Sequence, residues 1–309
     1  MGSLKYMVLA GPTAVGKTEI GIRVAQALQT EIVGADAFQL YQGLDILTGK
    51  PTPSQLKEVR HHLVGILPLT DLCDAHRYAL LAREVIATLN HCGIVPLVVG
   101  GTGFYLRALE GGIPSLPPAD LILRAQLNRL STAELLRDLE ARDAVAAHRI
   151  DRHNRRRILR ALEVCISAGK PFSGFVGKTI LDPAIVRIAL QQPRAVLVEK
   201  IERRVDAMFD QGVVAEVAAV QEIGSTASQA IGFQLIRKLL TGAIDSSACR
   251  AAIKQLTRNY AKRQMTWFRR QPFEMIPAES SFDFLVASFR SRFPKDGTAV
   301  EGGITGHPA

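Results

Sequence analysis

"YMVLAGPTAVGKTEIGIRVAQAL", residues 6–28, is the stretch whose reading decides the fold. Residues 6–10 are a short apolar run with strand character, and 17–28 repeat apolar positions at helical spacing. Between them, Gly11 to Thr18 fits the template G-x-x-x-x-G-K-[ST]. Gly11 and Gly16 let the backbone turn so that its N–H groups converge on an anion at the start of the following helix. Lys17 adds a point charge, and the Thr18 hydroxyl is of the type that ligates Mg²⁺. The unit predicts a bound phosphate without saying which one.

Two further apolar runs, 31–35 and 94–99, read as strands, and helical patterns over 17–28 and 76–91 separate the three. This is the alternation of a parallel sheet covered by helices. The first strand ends in the glycine loop, the second in Asp36 and the third in "GGTGFY" (100–105), so the chemistry gathers at carboxyl ends of strands. The expected fold is therefore α/β, a P-loop parallel sheet flanked by helices, with an inserted, mainly helical subdomain. "GGIPSLPPAD" (111–120) interrupts the pattern, 121–168 reads as helical and Arg-rich, and "VRIAL" (186–190) returns the chain to the sheet. The expected boundaries are 1–112 with 185–272 for the core and 113–184 for the insertion. Amphipathic segments follow at 199–222, 230–240 and 246–269. The pattern fades after 272, and 290–309 is expected to be a disordered tail.

The bulk numbers narrow the class. Hydrophobic content of 47% with 22% charged suits a folded globular chain of 309 residues, and no apolar run of about 18 residues offers a membrane span. The first apolar stretch runs straight into the glycine loop without a cleavage region, which predicts a cytoplasmic protein. Cys73, Cys92, Cys165 and Cys249 are scattered with no C-x-x-C pair, arguing against a disulfide framework or a zinc site. A formal charge of +9 points to an anionic partner.

That charge is clustered. Arg149, Arg152, Arg155, Arg156, Arg157 and Arg160 crowd the insertion. Arg258, Lys262, Arg263, Arg269 and Arg270 form a second group, interleaved with Tyr260, Trp267 and Phe268. On a helix, 258, 262 and 269 share a face, which gives a basic stripe able to follow a phosphate backbone. Trp267 and Phe268 are expected to pack in the core. His61 and His62 are expected to be structural, because adjacent side chains rarely share an ion and no further ligands cluster with them. A kinase would place a carboxylate at the end of a buried strand to organise Mg²⁺. Here the third strand ends without one. Asp36 is the only well-placed acid, and on spacing alone a small-molecule kinase using it as base stays open.

Taken together, "GPTAVGKT" (11–18), "ADAFQLYQGLDILTGKP" (35–51), "HHL" (61–63), "VVGGTGFYLRAL" (98–109), "RRRILRALEV" (155–164), "KIERRVDAMFDQGVVAEV" (200–217), "AIGF" (230–233) and "TRNYAKRQMTWFRR" (257–270) resemble the tRNA dimethylallyltransferases, also called isopentenyl-tRNA transferases. Their order over most of the chain makes the likeness far more specific than one loop. The resemblance implies transfer of a dimethylallyl group from dimethylallyl diphosphate to the N6 nitrogen of an adenine beside the anticodon, with diphosphate as the leaving group. It implies Asp36 as general base, Thr13 at the bridging oxygen, and Lys17 and Arg204 on the terminal phosphates. Gly11, Pro12, Thr13, Ala14, Val15, Gly16, Lys17 and Thr18 would cradle the donor, with Thr18 helping to bind Mg²⁺. The tRNA anticodon stem-loop would meet Asp36, Ala37, Phe38, Gln39 and Thr102 near the target nucleotide, Arg124, Arg156, Arg157 and Arg160 on the insertion, and Gln229, Gly232 and Phe233 within 229–234. It would also meet Lys262, Arg263, Gln264, Trp267 and Arg269. A monomer is the simplest expectation. Against the family pattern, Val15 and Ala37 each stand where Ser is usual and Gly65 where Asp is usual, which bears on fine positioning. An adenylate isopentenyltransferase would share loop and base but should not need "TRNYAKRQMTWFRR".

Overall fold

The computed structural model describes residues 4–111, 116–175 and 182–294. Part of the proline-rich stretch and the segment 295–309 of the expected tail lie outside the described residues. The chain divides into two compact units, one built from residues up to Leu109 and from Asp182 onward, the other from Glu110–Leu181. In the first, β1 (Met7–Ala10) leads through the glycine loop into α1 (Lys17–Leu28), followed by β2 (Ile32–Gly34), α2 (Asp45–Thr48) and α3 (Pro53–Glu58). Then come β3 (His61–His62), α4 (Ala75–His91), β4 (Leu97–Gly100) and α5 (Gly103–Leu109). The second unit holds α6 (Leu121–Leu127), α7 (Thr132–Arg142), α8 (Ala144–Arg149) and α9 (Arg155–Ala168). The first unit resumes with β5 (Val186–Gln191), α10 (Arg194–Asp210), α11 (Val213–Ala218), α12 (Phe233–Leu240), α13 (Ser246–Phe268), β6 (Glu274–Pro277) and α14 (Ser281–Arg292).

The strands form one parallel sheet in the order β3-β2-β4-β1-β5-β6. Covered on both faces, β1 has no polar side and reads as an unbroken apolar run. Alternation along it feeds two cores. Tyr6, Val8 and Ala10 pack with Tyr78, Ile86 and Leu106 of α4 and α5. Met7 and Leu9 pack with Val24, Ile201 and Leu285 of α1, α10 and α14. The register sets Leu9 beside Val99 on one side and Ile188 on the other. β2, β3 and β4 all lie to one side of β1, and β5 and β6 to the other. The loop after β1 therefore opens at the switch point of the sheet, where ligands enter such folds.

The structure extends the sheet beyond the sequence expectation. His61 and His62 pair with Ile32 and Val33 as a two-residue edge strand, and Glu274–Pro277 adds the opposite edge. Residues 290–292, placed by the sequence reading in the tail, close α14, whose Leu285 and Phe289 are buried against the sheet. The expected 199–222 helix divides into α10 and α11 at Gly212, whose φ of 94° is incompatible with continued right-handed helix. In the second unit, Leu135, Leu139, Ile158 and Leu162 form a small helical core, and a fully buried Glu163 sits within it. Four free cysteines are present, of which only Cys92 is exposed. Among the described residues, no helix is long and apolar enough to cross a membrane.

Candidate active site

The glycine loop is shaped by the backbone it follows. Gly11 takes φ 151° with the Leu190 carbonyl 3.0 Å from where a Cβ would stand, so the first turn has no space for a side chain. Val15 turns inward and is 1% exposed in the β1 core, so the Ser-to-Val departure falls on a packing position. α1 begins at Lys17 behind Gly16, with no side chain capping it. α4 and α13, by contrast, are closed by the carboxylates of Asp74 and Asp245. The first-turn N–H groups of α1 have no intrahelical partner and favour negative charge before them. What lies there is a cavity of about 420 Å³, lined by Thr13, Thr18 and the cations Lys17, Lys50, Lys200 and Arg204. Lys17 Nζ donates to the Pro12 carbonyl at 2.7 Å. Burial draws its pKa down to about 8; the Asp36 charge opposes that fall and Arg204 adds to it. Asp36 and Glu19 are the acids lining the cavity, and none follows β4.

Arg204 reaches the loop from α10. Its Nη1 donates to Thr13 Oγ1 and its Nη2 to the Thr48 carbonyl, both at 3.0 Å. Burial lowers its pKa and Asp36 counters the effect. The guanidinium lies so close to Gly49 that a Cβ there would stand 2.2 Å from Nη2. α2 is held in place for this contact from two sides. The Glu216 carboxylate accepts the Ile46 and Leu47 N–H groups, both at 2.8 Å, which are otherwise orphan donors at a helix start. The Gln39 amide donates to the Thr48 and Gly49 carbonyls. Asp36 Oδ1 accepts the Phe38 N–H at 3.0 Å, and the Thr102 hydroxyl accepts the Ala37 N–H at 3.0 Å. Thr102 also hydrogen-bonds the Tyr260 phenol, whose pKa is raised by burial and then by the Asp36 charge.

A second, smaller cavity of about 60 Å³ adjoins the first. Thr13, Asp36, Thr48 and Arg204 line both. Beyond them its walls are largely hydrocarbon, from Leu47, Val205, Met208 and Ile253. A cationic, N–H-rich nest thus meets an apolar recess at a hydroxyl, a carboxylate and a guanidinium.

The family model described as IPP transferase matches residues 39–271. The chain belongs to the IPP transferase family. It is 41% identical, over 87% of its length and 82% of the relative's, to a protein of Syntrophobacter fumaroxidans named tRNA dimethylallyltransferase. It is 40% identical to one so named from Bifidobacterium longum subsp. infantis, over 87% of this chain and 84% of that one. Among solved structures, the tRNA isopentenylpyrophosphate transferase of Bacillus halodurans superposes with a TM-score of 0.69 at 29% identity, covering 94% of this chain and 97% of the other. Relatives of one name over most of its length make the chain an enzyme of the tRNA dimethylallyltransferase type.

Of the residues the resemblance assigned to RNA, the IPP transferase fold leaves some free and commits others. Arg156 and Arg157 on α9, and Lys262, Arg263 and Arg269 on or beside α13, are exposed, as is Gln229. Arg124 and Arg160 are instead spent on Glu163, at 2.6 and 2.9 Å, and Arg160 also donates to the Pro117 carbonyl. They brace the second unit, because a buried carboxylate without partners is far costlier than one doubly paired. Phe233 is 2% exposed in a core with Phe38, Leu47 and Ile253, so its side chain is closed to RNA; Gly232, with φ 96°, starts α12. Trp267 is half-buried, stacked edge-on against Phe268 with Gly103 under its ring. Gln264 is 7% exposed, and both ends of its amide are engaged within the protein. Glu216, Thr48 and Tyr260 were not singled out from sequence as site residues. Gln264 did carry a signal there, since it falls on one helical face with Ile253, Thr257, Ala261 and Phe268.

Proposed function

We propose that this protein transfers the dimethylallyl group of dimethylallyl diphosphate to N6 of the adenine adjacent to the anticodon in tRNA, releasing diphosphate. The observation that carries this reading is the sharing of Thr13, Asp36 and Arg204 between an anion nest and an apolar recess. A diphosphate ester of a short hydrocarbon fits both at once, with its C–O bond at the shared residues. A phosphoryl acceptor alcohol would meet hydrocarbon on that side instead, and no carboxylate follows β4 for a kinase-type metal site.

In the transfer, the bond from the prenyl C1 to the bridging oxygen breaks and its electron pair leaves with diphosphate. A bond forms from the adenine N6 to C1, and one N6 proton goes to the Asp36 carboxylate. Because Thr13 Oγ1 accepts from Arg204, its own proton is directed elsewhere and is available to the bridging oxygen. Lys17, Arg204 and the α1 N–H groups stabilise charge that grows on the departing oxygens, which is where fixed donors accelerate most. Asp36 is needed since the N6 lone pair is delocalised into the ring until its proton begins to leave. Its Oδ1 is held by the Phe38 N–H, leaving Oδ2 for that proton.

Among the described residues, no cluster of three acidic, His or Cys side chains could hold a metal alone. Thr18 lines the anion cavity with a hard oxygen, a donor type that would suit Mg²⁺. When bound, the ion supplies neutralisation of leaving-group charge. Exposed Arg156, Arg157, Lys262, Arg263 and Arg269 are offered for the RNA backbone. The test is incubation with Mg²⁺, dimethylallyl diphosphate and either unmodified tRNA or AMP, with mass detection of N6-isopentenyladenine. Product in tRNA is expected. Product from AMP but not from tRNA would overturn the acceptor assignment.

A further inference from the structure

Gln264 is given no step in the chemistry just described, although it lines the anion cavity and is otherwise buried. Its amide nevertheless joins the loops after β1 and β4. Oε1 accepts the Thr13 N–H at 2.9 Å, and Nε2 donates to the Gly101 carbonyl at 2.8 Å. Thr13 follows β1 and Gly101 follows β4, neighbours in the sheet. A primary amide presents an acceptor and a donor side by side, which is what one N–H and one C=O facing the same spot require. The fit is close: a Cβ at Gly101 would lie 2.5 Å from Nε2. Both loops hold groups assigned to the transfer. Thr13 offers its hydroxyl to the departing oxygen. Gly101 precedes Thr102, which accepts the N–H of Ala37 and so fixes the residue next to Asp36.

We infer that Gln264 is a positioning residue of the transfer step, locking the Thr13 loop to the Thr102 loop so that leaving-group donor and general base keep one separation. The inference rests on the prenyl-transfer reading of Thr13 and Asp36. It also assigns α13 two duties on opposite faces. Lys262 and Arg263 are exposed, while Gln264, next to them in sequence, faces the loops.

Two variants test it on the full-length protein. Gln264→Met keeps length and bulk but neither hydrogen bond. Its kcat is expected to fall roughly 10- to 100-fold, the scale of a reacting geometry lost by about an ångström, while tRNA affinity and its salt dependence stay at the wild-type level. Gln264→Glu separates positioning from mere packing. A protonated carboxyl reproduces the acceptor and donor of the amide, whereas a carboxylate faces the Gly101 carbonyl oxygen with like polarity. Lys17 and Arg204 line the same cavity and favour the carboxylate, so the ratio of its kcat to wild type should rise only as falling pH protonates the new side chain, and the Met variant's ratio should stay flat. Wild-type kcat with weakened tRNA binding in Gln264→Met would overturn the inference in favour of an RNA contact. Loss of activity in both variants only in proportion to loss of folded protein, with no pH trend, would overturn it in favour of simple packing. A wild-type protein that prenylates no tRNA defeats the underlying reading instead, so the two failures are told apart by the first assay.

Discussion

Gly49→Ala probes the placement of Arg204 without touching Arg204 itself. The new methyl group would stand 2.2 Å from Nη2 and 2.8 Å from Cζ of the guanidinium. Ordinary van der Waals separation is about 3.5 Å, so Nη2 must retreat by about 1.3 Å. Its bond to the Thr48 carbonyl lies beside Gly49 and is lost first, and the bond to Thr13 Oγ1 loses its geometry with it. Losing one preorganised donor at developing charge costs about 10²–10³ in kcat, or about 2.7–4 kcal/mol. A side chain at φ 60° also costs about 1–2 kcal/mol of stability. Gly242→Ala isolates that second cost, since Gly242 has φ 73° and nothing within 4 Å of a Cβ. Single-turnover prenylation, read as modified tRNA by mass, is expected to drop at least about 100-fold for Gly49→Ala and to stay near wild type for Gly242→Ala, with similar shifts in melting temperature. Equal rates in the two variants would refute the reasoning, because the steric displacement of Arg204 would then have no bearing on the reaction.

Asp36→Asn should bind tRNA normally while single-turnover rate falls about 10²–10⁴-fold, the usual range for a lost general base; filter binding and rapid quench separate the two. Lys17 loses its proton as pH rises through about 8, so donor affinity should be steady below that pH and decline above it. Binding measured above pH 8 should take up a proton, visible as a buffer-dependent enthalpy. Replacing Arg156 and Arg157 with Ala should reduce the slope of log affinity for tRNA against log salt by about 0.7 per lost contact, with melting temperature unchanged. Arg124→Ala should act in the reverse sense, lowering the melting temperature by removing a partner of buried Glu163.

The sheet was legible because its strands announce themselves. β1, β2, β4 and β5 are apolar runs, the first three ending in chemistry-bearing residues, and α1 coincides with the periodic segment 17–28. β3 was not, since two histidines have no strand pattern and are recruited by pairing with β2. β6 and α14 escaped for a related reason: β6 is only four residues long, and the apolar residues of α14 mark no single face until the finished sheet selects Leu285 and Phe289. Single residues of the site followed from motifs, but their partners did not. That Arg204 meets both Thr13 and Thr48 depends on α10 folding over α2, and no spacing in the sequence encodes it. The arginine cluster of the insertion was visible as charge. That Arg160 of this cluster joins Arg124 on Glu163 while Arg156 and Arg157 face outward depends on helical phase and a buried acid. Gln264 is the instructive case, a polar residue at a buried phase of α13 that reads as an RNA contact only while its face is ignored.

The most direct measurement follows the bridging oxygen. Dimethylallyl diphosphate carrying ¹⁸O between C1 and phosphorus is turned over with unmodified tRNA, and both products are weighed. The account predicts prenylated adenine free of label and all of the ¹⁸O in released diphosphate. Label retained in dimethylallyl alcohol, with phosphate rather than carbon found on the acceptor, would contradict it.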